Sequence, residues 1–328
     1  MTAGPAADGK REVPKAVFMF SGQGSQYFHM GRGLFEGCET FRTWMVRLDG
    51  MVSQYLGCSV LEALYSDKRG KGDAFDRTRV THPALFMVEY ALARTLCEAG
   101  LIPGITLGAS IGAAAAATLS GCLEIEDAIC LVAQQALSVE ETCGAGAMIA
   151  VLADSAMFAE PFLSTRSELA GVNLPSHFVV SCAGRHLGPI EFELAQRAIS
   201  YQRLPVAFGF HSSHIDPARE SFLARTRDVR FREAVTPMMC CERASLVSRL
   251  PADYFWRVVR NPMRFAEAVL ALERQGPHLY IDVGPSGTLA TFLKYLLPRE
   301  TRSAVRAVLT PFGRDLLNLS SILSARCG

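Results

Sequence analysis

The pentapeptide Gly108-Ala109-Ser110-Ile111-Gly112 constrains this chain more than any other segment. It stands between a short β-prone run, Ile105-Thr106-Leu107, and a helix-prone alanine stretch, Ala113 to Ala117. A G-x-S-x-G sequence in that setting reads as a nucleophile elbow: strand, sharp turn, helix, with a serine at the apex. The strained backbone and its close packing require glycine on both sides. Ser110 then stands at a helix N-terminus, where free N–H groups and the helix dipole stabilise an oxyanion. That names a nucleophile and a reaction class, acyl transfer through a serine ester. The pentapeptide also arises by chance in glycine-rich chains, so the flanks carry the weight. Gly121 is placed to end the helix.

Around the elbow, strand-like and helix-like segments alternate. Ala16 to Phe20 reads as a buried strand that runs into a turn-forming cluster, Ser21-Gly22-Gln23-Gly24-Ser25-Gln26. Helices are expected over 33–48, 83–99 and 126–140. Pro83 suits the first turn of the second, and Leu85, Phe86, Val88, Leu92 and Leu96 form its apolar face. After Gly144-Ala145-Gly146, strands are expected at Ala147–Leu152 and Phe178–Ser181, with a helix between them and another over Ile190–Tyr201. Further helices follow at 213–226, 252–258 and 264–275, then a strand at Leu279–Val283 and a last helix over 287–296. The alternation predicts a parallel sheet covered on both faces. The block between about 143 and 206 reads as a small inserted α+β unit, and a cleft between two such bodies is the usual place for a site.

The chain has 328 residues with a formal net charge of +1, enough for one large α/β domain carrying an insertion. That charge gives no electrostatic reason to expect a nucleic acid or an anionic membrane as partner. Ten cysteines lie scattered without C-x-x-C spacing, which favours reduced core residues and a cytoplasmic setting. Residues 1–14 are rich in Ala, Gly, Pro and charge and lack the apolar core of a signal peptide, so a disordered tail is expected. No metal site or dinucleotide motif is apparent, and a monomer is expected.

A serine nucleophile needs a base. Of seven histidines, His211 and His214 differ from the rest, because they sit in Phe208-Gly209-Phe210-His211-Ser212-Ser213-His214, an apolar run ending in small polar residues. Spacing alone does not choose between them. No acidic partner is evident, so a Ser–His dyad is as acceptable as a triad.

Six motifs in order resemble the family of malonyl-CoA:acyl carrier protein transacylases and polyketide synthase acyltransferases. They are Phe18–Gln26 with its Gly22-Gln23-Gly24-Ser25-Gln26 core, Gly108–Gly112, Gly144–Met148, Ala207–Pro217, Tyr254–Phe265 and Asp282–Pro285. The resemblance implies a large α/β-hydrolase-like domain with a parallel-sheet core, over 15–142 and 207–328. A ferredoxin-like α+β subdomain would be inserted over 143–206. It also implies Ser110 as nucleophile, His211 as base and the backbone N–H groups of Gln23 and Ile111 as oxyanion hole. A main-chain carbonyl near Val258 would orient the imidazole in place of an aspartate, with His214 only a neighbour.

Departures from the family pattern bear on the substrate. Malonyl-transferring members carry an arginine after the elbow helix that grips the malonyl carboxylate, and that position falls here on Gln135. A neutral amide cannot replace the charge-assisted, bidentate pair. Malonyl should be disfavoured unless a nearby arginine such as Arg185 or Arg203 fills in. Ala109 replaces the histidine of the family elbow, Ala113 an acidic residue, and His82 a glutamine ahead of Pro83. With Phe210, the residues Gln135, Ala109 and His82 are expected in the substrate pocket. This pattern resembles the acyl hydrolase subgroup of trans-acyltransferase polyketide pathways, which removes acyl groups such as acetyl from acyl carrier proteins. Transfer of a non-malonyl acyl unit and an inactive carrier-binding subunit are the alternatives. Phosphopantetheine would arrive on the partner carrier protein, with no cofactor bound by the chain itself.

Overall fold

The computed structural model describes residues 14–325, so the predicted tail lies outside the described residues except for Pro14. Two sheets organise the chain. The larger has the order β10-β9-β1-β2-β7-β8. Its strands are β1 (Lys15–Phe20), β2 (Ile105–Gly108), β7 (Met238–Cys240), β8 (Ser245–Val247), β9 (His278–Asp282) and β10 (Ala304–Ala307). All neighbours are parallel except β8, which runs antiparallel to β7 at one edge. Alternate side chains of β1 serve opposite faces. Phe18 and Phe20 join the larger core, while Val17 and Met19 pack with Leu107, Phe265 and Tyr280 in a second one. Both faces are therefore covered, as a parallel sheet requires.

The smaller sheet contains β3 (Gly146–Val151), β4 (Glu168–Leu174), β5 (His177–Ala183) and β6 (Tyr201–Arg203), all antiparallel, in the order β4-β5-β3-β6. The helices Pro161–Ser164 and Gly184–Gln196 complete a β-α-β-β-α-β chain path, the ferredoxin-like arrangement. Its core unites Ile149, Val180, Ile190 and Leu194. The sheet docks onto the larger body through backbone: Met263 N–H donates to the Ala170 carbonyl at 2.8 Å.

Several elements differ from expectation. The helix expected over 83–99 spans Thr78–Glu98 and holds Pro83 inside it. The one expected over 33–48 is two helices, Arg32–Gly37 and Glu39–Leu56, separated by extended Cys38. Between β3 and β5 the chain forms β4 as well as short helices. Register shifts between Leu169 and Gly171 and between Val172 and Leu174 erase the period-2 pattern that would have marked it. The segment over 190–201 is helical only to Gln196 and ends in β6. No helix among the described residues is long and apolar enough to cross a membrane.

The elbow helix, Gly112–Leu119, crosses the end of β1 at backbone contact. A Cβ on Gly112 would lie 2.4 Å from the Ser21 carbonyl oxygen and 2.5 Å from that of Phe20. Gly112→Ala should therefore cost at least about 1–3 kcal/mol, read as a lower urea midpoint. Gly50→Ala, at an open site within the helix Glu39–Leu56, should instead raise stability by about 0.5–1 kcal/mol.

Candidate active site

Ser110 occupies the turn between β2 and the elbow helix with φ of 54°, a left-handed conformation that side chains rarely adopt. Two close approaches hold it there. A Cβ on Gly108 would lie 2.4 Å from Ala113 Cα, and Ala109 N–H donates to the Phe20 carbonyl at 2.9 Å. The strain is thus imposed by the packing around the turn.

Facing the serine is the turn that follows β1. A Cβ on Gly22 would lie 2.9 Å from Ser110 Cβ, so only glycine lets the two backbones approach. The side chain of Gln23 is turned away, its Nε2 donating to Thr81 Oγ1 at 3.1 Å. The backbone N–H groups of Gln23 and Ile111 have no acceptor among the described residues. Gln23 belongs to the turn that packs against Ser110 and Ile111 follows the serine in its own turn, and two free donors beside a serine hydroxyl form the kind of pair that suits a developing oxyanion.

His211 also has positive φ, 59°, and its N–H donates to the Val259 carbonyl at 2.7 Å. Its ring links two partners: Nε2 lies 2.8 Å from Ser110 Oγ, and Nδ1 lies 2.8 Å from the Asn261 carbonyl oxygen. A carbonyl can only accept, so Nδ1 carries the proton in the neutral ring. Nε2 then presents its lone pair to the serine hydroxyl. The orienting carbonyl is therefore that of Asn261, and not that of Val258 as expected. Val258 lies inside the helix Tyr254–Arg260, whereas Asn261 caps that helix in extended conformation (φ −86°, ψ 154°). Pro262 follows it, which disfavours helical geometry at Asn261 and turns its carbonyl outward. Glu242 steadies this residue by accepting from Asn261 Nδ2 at 3.1 Å and from Arg257 at 2.6 Å. His214 lies against Gly209, and its ring makes no hydrogen bond to Ser110 among the described residues.

The pair opens on a cavity of about 320 Å³ between the two sheets. Ala109 and Phe210 belong to its wall, together with Met148, Val179, Met263 and Phe292. Asn173, His177 and Gln202 contribute neutral polar groups, and among the described residues no lysine or arginine lines it. Gln135 and His82, expected in the pocket, are not part of the wall. Gln135 is buried and spends its amide N–H on the Phe255 carbonyl at 2.9 Å. His82 is buried behind Phe210, with ring centroids 5.3 Å apart. Arg203 pairs with Glu191 at the surface, so it does not substitute for the missing cation. Among the described residues no cluster of His, Cys, Asp and Glu could hold a metal ion.

One buried acid escaped the sequence reading: Glu89, fully buried and bonded to the Ser21 N–H at the turn after β1. Its signal was available as a lone acid in the apolar run Ala84 to Leu92.

Burial depresses the imidazole pKa of His211 from its ordinary 6.5 to about 4, against the opposing pull of the Asn261 carbonyl. The ring should stay neutral at any pH above about 4 and protonate only below it. A pH titration of its ring ¹⁵N shifts should show that midpoint, with Ser110→Ala leaving it below 6.5.

The comparisons with known proteins bear on the family and the fold. The acyl transferase domain model matches residues 17–324. The chain is 42% identical over 307 residues to the polyketide biosynthesis acyltransferase homolog BaeD of Bacillus velezensis, covering 93% of this chain and 95% of that protein. It is 38% identical, over the same shares, to the homolog PksD of Bacillus subtilis. Among solved structures it is similar to a loading acyltransferase from the avermectin modular polyketide synthase, with TM-score 0.87 and 26% identity over 95% of this chain and 100% of that one. It is also similar to MCAT from Streptococcus pneumoniae, with TM-score 0.77 and 25% identity over the same shares. Domain match, near full-length relatives and shared architecture together make this chain a member of the acyl transferase domain family.

Proposed function

We propose that this protein is a trans-acting acyl hydrolase that clears acetyl and other uncharged acyl groups from acyl carrier proteins of a polyketide synthase. The observation that carries this reading is a Ser110–His211 pair opening on a cavity whose wall holds no lysine or arginine among the described residues. A malonyl carboxylate buried there would lack the charged partner that such a group needs. The family membership and the polyketide biosynthesis names of its relatives support a carrier-bound thioester as substrate.

Ser110 Oγ attacks the thioester carbon while its proton passes to His211 Nε2. The carbonyl oxygen becomes an oxyanion held by the N–H groups of Gln23 and Ile111, donors of a type worth about 10²–10³-fold in rate. Collapse breaks the carbon–sulfur bond, and His211 returns the proton to the phosphopantetheine thiol of the departing carrier. Water then attacks the serine ester, His211 takes its proton, and the acid leaves as Ser110 is reprotonated. Ala109, with only a methyl in the cavity wall next to Ser110, is where this reading places that water. Phosphopantetheine belongs to the carrier, and on this reading the protein works as a cytoplasmic monomer without a cofactor of its own.

Intact-protein mass spectrometry of a carrier loaded with acetyl, malonyl or longer acyl groups tests this. The wild type should return acetyl-carrier to the free thiol and spare malonyl, and Ser110→Ala should not. An unloaded second carrier should gain no mass. Mass on the acceptor would make the protein a transferase, and rapid malonyl turnover would sink the argument from the uncharged wall. Unchanged behaviour of Ser110→Ala would leave only a carrier-binding role. His211→Ala should slow acetyl release by about 10³-fold or more, since the serine loses its base.

A further inference from the structure

Ser21 is the first residue beyond the β1 ladder, and its N–H is buried with no strand left to receive it. Glu89 receives it. One carboxyl oxygen, Oε1, accepts from Ser21 N–H at 2.7 Å and from Ser21 Oγ at 2.7 Å. Glu89 rises from the middle of the helix Thr78–Glu98, where every residue from Val80 to Ala93 is buried. The second oxygen, Oε2, is buried and has no partner among the described residues. On the other side Ser21 is confined by the β9 turn, where a Cβ on Gly284 would lie 2.3 Å from Ser21 Oγ. Asp282 holds that turn by accepting from Gly284 N–H at 2.9 Å and from Ala290 N–H at 2.8 Å. Ser25 closes the loop from within, its Oγ donating to the Gly22 carbonyl at 2.8 Å. The turn that brings Gly22 against Ser110 is thus anchored at its root by Glu89, and Ser25 Oγ also lies 2.8 Å from Ser21 Oγ.

We propose that Glu89 is a positioning residue: by fixing Ser21 it sets the Gly22–Gln23 backbone so that the Gln23 N–H meets the oxyanion formed at Ser110. This rests on the reading of Ser110 as nucleophile with Gln23 as oxyanion donor. The work needs an acceptor oxygen and no charge. Burial pushes the Glu89 carboxyl well above the usual carboxylate range, and the carbonyl oxygen of a neutral acid takes the same two hydrogen bonds. Glutamine offers that oxygen in the same place and alanine offers none.

The test uses the full-length chain and a fluorophosphonate probe. Ser110 Oγ bonds to phosphorus, fluoride leaves, and the phosphoryl oxygen occupies the oxyanion position, so labelling reports the donors whatever the natural acyl group. Glu89→Ala should slow the maximal labelling rate by about 30-fold or more while half-saturating probe concentration stays within about threefold, a loss on the scale of one oxyanion donor. Glu89→Gln should recover most of the rate. Met87→Ala, a buried truncation in the same helix, should lower Tm and leave labelling unchanged. If Glu89→Ala does not fold, Ser21→Ala serves, since it removes one of the two bonds to Glu89 together with the Ser21–Ser25 hydroxyl contact, and it should slow labelling by about three- to tenfold. Wild-type labelling in Glu89→Ala or Ser21→Ala would overturn the proposal. So would equal slowing in Met87→Ala, or a Glu89→Gln as slow as Glu89→Ala. Failure of the wild type to label at Ser110 would sink the nucleophile assignment and this inference together. Normal labelling without acyl-carrier hydrolysis would sink only the substrate assignment.

Discussion

Everything at the site depends on the contact between the elbow helix and the end of β1. Gly112 lies against the Ser21 and Phe20 carbonyls at a distance that admits no side chain. Together with the approach at Gly108 and the Ala109–Phe20 bond, that contact holds Ser110 at positive φ, with the Gly22–Gln23 turn beside it. Main-chain packing supplies the rigidity, which is a firmer basis for placing small donors than flexible side chains would be.

The electrostatics follow from burial. His211 has no carboxylate partner; its Nδ1 proton goes to the carbonyl of Asn261. A carbonyl sets the tautomer without adding a buried charge, so the resting site avoids the desolvation cost of an ion pair. The same burial holds the ring neutral far into the acid range. Where carboxyl groups do enter the interior, they hold backbone. Asp282, fully buried and pushed up to about 6, gathers N–H groups of the β9 turn, and Glu89 gathers those of Ser21.

The second sheet makes the site a cavity. Met148, Val179 and His177 come from it, while Phe265, Leu289 and Phe292 come from the larger body. His177 and Phe292 meet across the gap with ring centroids 5.0 Å apart. The shape available to an acyl group is therefore a property of how the two bodies dock. The Met263–Ala170 backbone bond between them lies two residues beyond Asn261, whose carbonyl meets His211.

Local sequence determined the elbow, the turn at Gln23 and the loop carrying His211. Each is a short segment whose glycines and small residues admit few backbone paths, and Ser110, Ala109, Ile111 and Phe210 are placed accordingly. It also determined the missing cation at position 135. It did not determine which way the Gln135 amide turns, because a buried amide takes whichever acceptor the packing offers, here Phe255. Nor did it separate Val258 from Asn261, since the choice depends on where a helix ends and which carbonyl is left without an internal partner. The strand β4 was hidden by its register shifts, and the three-residue strands β7 and β8 are too short to show a period. Glu89 could be seen as an oddity in an apolar helix, but its role required Ser21. Residues 21 and 89 are joined only when the helix Thr78–Glu98 is laid beneath the end of β1. Periodicity and turn chemistry act over a few residues and can be read along the chain; acceptors, cavity walls and charge states are set by groups brought together from distant segments, and only the tertiary structure decided them.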